Sequence, residues 1–193
     1  SLQDSLVAML NGQREFLLID EQKVAFEKIL SFSKKSQKDG KKRVCIIYGG
    51  PGTGKTTVIR GIVQTFLTLH NYQNKDLIKL AAPTGKAAKR LSEATGFTAT
   101  TVHKLLGYDF TGNFKYDDHN LIDAQLLIVD EASMLDCLLA KRLFQAIRLG
   151  TKVVLVGDAN QLPSVGPGDV LNDLINSDLF NTVKLDLIHR QAS

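Results

Sequence analysis

Residues Gly49 to Thr56 read Gly-Gly-Pro-Gly-Thr-Gly-Lys-Thr. Gly49, Gly54, Lys55 and Thr56 satisfy the spacing G-x-x-x-x-G-K-[ST], whose chemistry is phosphate binding. Glycines let the chain curl with positive φ and approach phosphate oxygens closely. Lys55 is placed to reach the β- and γ-phosphates of a nucleotide, and the Thr56 hydroxyl to bind Mg²⁺. Gly50, Pro51, Gly52, Thr53, Gly54 and Thr57 complete the expected ATP-binding loop. The flanks agree with this reading. Val44 to Tyr48 is an apolar run of the buried-strand kind, and Thr57 to Leu67 carries apolar residues at helical spacing. Strand, glycine loop and helix is the order that aims backbone N–H groups and a helix N-terminus at an anion.

A second group lies seventy-odd residues on. Asp130-Glu131 follows the apolar run Leu126 to Val129. In open α/β sheets ligands bind beyond the carboxyl ends of strands, so this pair is expected at the phosphate-loop edge. Asp130 suits a hold on Mg²⁺, and Glu131 suits the general base that polarises an attacking water. Gly157-Asp158-Ala159-Asn160-Gln161-Leu162-Pro163 follows another apolar run, Lys152 to Val156. Gln161 there is either a sensor of the γ-phosphate or part of a loop of turn-forming residues. Two other nucleotide chemistries fit less well. Asn74-Lys75-Asp76-Leu77 places its acid one position early for guanine reading, and Arg60, Arg90, Arg142 and Arg148 are too scattered for the lid of a small-molecule kinase.

The elements that must position these groups alternate between strand and helix signals, which predicts a parallel sheet of five or more strands with helices on both faces. Helices are expected at 21–32, 57–67, 85–93, 136–148 and 169–175. Strands are expected at 44–48, 77–82, 126–129, 152–156 and 182–185. Aromatics at Tyr108, Phe110, Phe114 and Tyr116 surround Thr111-Gly112-Asn113 and predict a small β-hairpin insertion near 108–116. That hairpin reads either as a wedge against nucleic acid or as a cover over the sheet. Lys34 to Arg43 holds six basic residues and one acid, a composition that fits a solvated loop or a polyanion contact.

Length and composition fit one domain. The 193 residues carry a net charge of +4 and 44% hydrophobic residues, and no apolar run approaches the ~18 residues of a membrane span. Asp4 and Arg14-Glu15 interrupt any signal-peptide pattern. Cys45 and Cys137 lack paired-motif spacing with each other or with the four histidines, so reduced thiols, no zinc site and a cytoplasmic location are expected.

Taken in order, these blocks resemble the first RecA-like motor domain of superfamily 1 DNA helicases, in the RecD/TraA-like branch. Leu18 to Lys23 resembles the glutamine motif, which implies that Gln22 reads adenine. Gly49 to Thr56 resembles motif I. Ala82 to Leu91 and Thr100 to Gly107 resemble blocks that contact single-stranded DNA, implicating Thr84, Lys86, Thr101 and His103. Lys89 and Arg90 fit solvated helix charges as well as phosphate contacts. Ile128 to Met134 resembles motif II, and Gly157 to Val165 motif III, which favours the sensor role for Gln161. Leu187 to Gln191 resembles motif IV, with Arg190 as a finger on the γ-phosphate.

The resemblance covers nearly the whole chain. It implies a RecA-like P-loop ATPase fold and a parent enzyme that is an ATP-dependent helicase or translocase moving 5′→3′ on DNA, like the RecD alpha subunit of exodeoxyribonuclease V. In this branch the insertion before motif II can act as a pin at the duplex junction. A second RecA-like motor domain is expected beyond residue 193 as the partner that closes the ATP site. The 193 residues alone are then expected to hydrolyse ATP weakly or not at all. The alternative is a P-loop ATPase switch that does not act on nucleic acid.

Overall fold

The central strands of this protein, at 44–47, 126–129 and 153–156, read as unbroken apolar runs because both of their faces are covered. A computed structural model describes residues 43–50, 52–69, 75–148, 150–158, 170–176 and 181–185. The expected helix at 21–32, most of the basic stretch before Arg43, and Gln22, Pro51, Gln161 and Arg190 lie outside the described residues.

Six strands form one sheet among these residues: β1 (Arg43–Gly49), β2 (Ile78–Ala82), β3 (Ala99–Thr101), β4 (Leu126–Val129), β5 (Lys152–Gly157) and β6 (Asn181–Leu185). Their order is β3-β2-β4-β5-β1-β6, and every pairing is parallel. The helices are α1 (Lys55–Leu69), α2 (Gly85–Thr95), α3 (Val102–Leu105), α4 (Cys137–Gln145) and α5 (Val170–Asn176).

Alternation along each strand sorts its side chains between two cores. Cys45 and Ile47, Leu126 and Ile128, and Val154 and Val156 pack with Val58, Ile59, Ile62, Val63 and Phe66 of α1 and Leu91 of α2. Val44 and Ile46, Leu127 and Val129, and Val153 and Leu155 pack with Leu139 and Leu143 of α4 and Leu171 of α5. Ile46, Ile47 and Ile128 are fully buried, each contributing roughly 1.5–3 kcal/mol of burial. The helix boundaries have local causes. Thr84 caps α2, its Oγ1 accepting from the Ala87 N–H, and Gly96 closes the helix at φ 75°. Asp136 caps α4 by accepting from the Leu139 N–H at 2.7 Å.

The structure corrects the expectations at three places. β3 and α3 replace what the sequence left without structure between 99 and 105. Helix α4 stops at Gln145 instead of Arg148, because Ile147 leaves the helix to bridge Ile122, whose N–H donates to the Ala146 carbonyl at 2.7 Å. The hairpin is reduced to one antiparallel bridge, Tyr108 to Phe114. The Asp109 carboxylate takes over the ladder's role there, accepting from the N–H groups of Thr111 and Asn113 at 2.9 and 3.2 Å.

Candidate functional site

Strand β1 delivers the phosphate loop to the sheet edge. Gly49 must be glycine: a Cβ there would lie 2.7 Å from the Leu185 carbonyl oxygen and 2.8 Å from Thr53 Oγ1. Gly52 and Gly54 take φ of 76° and 82°, a region open to glycine at little steric cost. Thr53 is buried and donates its hydroxyl to the Gly50 carbonyl at 2.8 Å, bracing the curl. The Lys55 ammonium donates to the carbonyls of Gly49 at 2.8 Å and Gly50 at 3.1 Å. It lies folded along the inside of the loop, at the mouth of α1. Thr56 and Thr57 sit half-buried on the first turn of that helix.

Strand β4 delivers the carboxylates. The Asp130 N–H donates to the Ala81 carbonyl at 2.9 Å, which extends the β2–β4 pairing by one bond. Burial pushes the Asp130 carboxyl above its ordinary range, and the negative charge of Glu131 adds to the rise. The Glu131 N–H, donating to Asp130 Oδ1 at 2.8 Å, and the Lys55 ammonium both act in the opposite direction. Lys55 and Asp130 therefore share one electrostatic environment. Glu131 holds a left-handed conformation at φ 50°, ψ 41°, which for a non-glycine residue costs on the order of 1–3 kcal/mol and clusters at functional sites. Thr56 and Asp130 are hard oxygen donors. They fit a Mg²⁺ ion, which takes few protein ligands and completes its shell with phosphate and water oxygens.

Strand β5 lies between the strands that carry these two groups. A Cβ on Gly157 would lie 2.7 Å from Leu171 Cδ2 and 3.1 Å from the Ser133 backbone nitrogen. The missing side chain lets the turn after Glu131 sit directly on β5. Asp158 follows, buried. Ser133 Oγ in this turn is also buried and has no hydrogen-bond partner among the described residues, an uncommon condition for a hydroxyl. Sequence reading placed Thr53 in the loop but missed Ser133, since an ordinary hydroxyl residue inside a motif carries no signal of burial.

Strands β2 and β3 bring the DNA candidates to the same edge, with Ala82 opposite Thr101 in the parallel register. Thr84 and Thr101 are both helix N-caps; Thr101 Oγ1 accepts from the Lys104 N–H at 3.1 Å. In each, one hydroxyl lone pair serves the fold. Lys86 is exposed. His103 is exposed too, and its ring meets Tyr108 edge-on at 5.4 Å and Phe114 face-on at 6.3 Å. A separate cavity of about 640 Å³ lies beside β3, lined by residues that include Ile78, Phe97, Thr100, Lys104 and Tyr116. It contains none of the phosphate-loop or carboxylate residues. We place the chemistry at the open strand edge, because loop amides hold phosphates without needing a deep pocket.

Comparison with known proteins agrees with this fold. A family model described as an AAA domain matches residues 33–167. The chain is 42% identical over 151 residues to the ATP-dependent RecD2 DNA helicase of Deinococcus radiodurans, covering 78% of this chain and 20% of that protein. It is 38% identical over 151 residues to the RecBCD enzyme subunit RecD of Mycobacterium tuberculosis, covering 69% of this chain and 26% of that one. The chain thus spans about a fifth to a quarter of these curated relatives. Among solved structures, Pif1 of a Bacteroides species in complex with ADP-AlF4 aligns with a TM-score of 0.56 at 23% identity, over 92% of this chain and 44% of that one. At that identity the likeness is one of fold.

Proposed function

The chain belongs to the AAA domain family as a RecD-like motor domain of the superfamily 1 helicase kind, and from that premise we propose that it is the first motor of an ATP-dependent helicase moving 5′→3′ on single-stranded DNA. One observation carries the proposal: Lys55 and the Asp130–Glu131 pair stand on the same sheet edge as Thr84, Lys86 and His103. Nucleotide and nucleic acid then share one rigid platform.

In this reading the loop amides and Lys55 hold the triphosphate. Thr56 and Asp130 hold Mg²⁺, which supplies charge neutralisation between the phosphates. Glu131 orients and polarises the attacking water. Gln22 reads adenine, Gln161 reports the phosphate state and Arg190 stabilises the transition state. A second RecA-like domain closes the site, so the 193-residue chain alone turns over ATP poorly. Lys86 neutralises DNA phosphate in a salt-sensitive, sequence-independent way, and His103 offers a ring for stacking. The 108–116 insertion serves as a pin at the duplex junction. Cys45 is buried and Cys137 exposed, and neither lies in a disulfide among the described residues. No helix among the described residues is long and apolar enough to cross a membrane.

The test is steady-state ATP hydrolysis by the full-length protein, with and without single-stranded DNA, beside Lys55→Ala. DNA-stimulated turnover that disappears in the variant is expected. Hydrolysis indifferent to DNA would replace this reading with a P-loop ATPase switch.

A further inference from the structure

Arg142 has no place in the nucleotide site or among the DNA candidates, yet it reaches the ring cluster beside His103. It projects from α4, the helix whose cap, Asp136, lies five positions after Glu131. Its guanidinium carbon stands 4.3 Å from the centre of the Phe114 ring, a distance at which a cation is held by the ring's electron-rich face. Phe114 is half-buried against the core on that side of the sheet. Its other neighbours are Tyr108 at 4.9 Å and His103 at 6.3 Å. Tyr108 in turn meets Phe110 at 5.4 Å.

Phe110 is 89% exposed and holds a positive φ of 66°. A large apolar ring at full exposure in a strained conformation is not explained by packing. The loop that presents it is stiff. Asp109 Oδ1 accepts from the Thr111 N–H, the Thr111 hydroxyl and the Asn113 N–H, and the Tyr108 N–H donates to the His103 carbonyl. Ile122, six positions past the insertion, bonds to the end of α4. The stretch from Tyr108 to Ile122 is therefore fastened to α4 at two points, and Arg142 supplies the one nearer Phe110.

We propose that Arg142 is a positioning residue that fastens the 108–114 loop to the helix behind the catalytic carboxylates, so that movement of α4 during the nucleotide cycle reaches Phe110. The proposal rests on the helicase reading above and deepens it. It names the contact through which hydrolysis drives the tip, and it gives Phe110 the work of pressing on the base pair ahead.

The experiment measures, in the full-length protein, both the DNA-stimulated ATPase rate and the base pairs opened per ATP on a forked duplex. Arg142→Met keeps the side-chain stem and removes the cation. It is expected to leave hydrolysis within about twofold of wild type and to lower base pairs per ATP by about fivefold. Arg142→Lys should recover part of that loss. Phe114→Leu should reproduce it, and the double variant should be no worse than either single one, the signature of a shared contact. A merely structural role would lower hydrolysis and unwinding together, and that result overturns the proposal. Unchanged unwinding in Arg142→Met, or losses that add in the double variant, would do the same. A wild-type protein without DNA-dependent hydrolysis would remove the helicase reading itself and the inference with it.

Discussion

Two aspartates receive the same kind of hydrogen bond and respond in opposite directions. Asp130 accepts from the N–H of the next residue at 2.8 Å, and Asp109 accepts from the N–H two residues on at 2.9 Å. Burial nevertheless holds the Asp130 carboxyl above its ordinary range. The side-chain and backbone bonds from Thr111 hold that of Asp109 below it. Desolvation decides at the sheet edge, where the carboxylate sits behind strands covered on both faces. Hydrogen bonding decides in the exposed insertion, where water already solvates the charge. The nucleotide edge thus keeps a carboxylate that is costly until a cation meets it. The insertion uses a carboxylate to hold its own shape.

The comparison breaks most readily at the nucleotide edge. Glu131→Gln removes the base while keeping size and hydrogen bonding. It should lower ATP turnover of the full-length protein by about 10²–10⁴ while a fluorescent nucleotide still binds. Turnover near wild type would take the base assignment away from Glu131. Next in size is Gly157→Ala, whose methyl must displace Leu171 and crowd the Ser133 nitrogen. A loss of about 1–3 kcal/mol is expected, visible as a lower denaturation midpoint, with turnover reduced because the Glu131 turn moves. Full stability in that variant would mean that the edge is looser than its packing suggests.

The smallest effects sharpen the contrast through pH. A carboxyl raised in the folded state contributes stability that is present below its unfolded pKa and lost as pH rises through the folded value. Without nucleotide or Mg²⁺, Asp130→Asn should therefore raise Tm at neutral pH, with the gain shrinking as the pH is lowered toward 4. At this chain length each 1 kcal/mol corresponds to about 2–4 °C. Asp109 has the opposite sign. Its contribution is present above the unfolded pKa and lost as pH falls through the depressed folded value. Asp109→Ala should lower Tm slightly at neutral pH and match wild type in acid. Parallel pH profiles for the two variants would contradict the division between burial and hydrogen bonding.

How much was legible in the sequence differs between the same two regions. The phosphate loop, its strand and helix, and the strand ending at Asp130 were all readable, because each is one contiguous segment whose spacing carries its physics. Strand β3 was not, since Ala99-Thr100-Thr101 is short, half-buried and only weakly apolar. The insertion was read as a hairpin because its aromatics alternate. Its single bridge and its Asp109-centred turn depend on side-chain bonds that alternation does not report. Arg142 read as one scattered arginine among four, and nothing in its neighbours along the chain points to Phe114.

By itself the sequence determined the parallel α/β class, the phosphate loop, the carboxylate pair and their common edge. Apolar periodicity and motif spacing are local properties, and in an open sheet the strand ends fall together. Only the tertiary structure decided the strand order, the left-handed backbone at Glu131, the glycine contact between β5 and the Glu131 turn, and the seat of Arg142 on Phe114. Those depend on which distant segments are pressed together, and close packing fixes that in three dimensions, where no spacing along the chain records it.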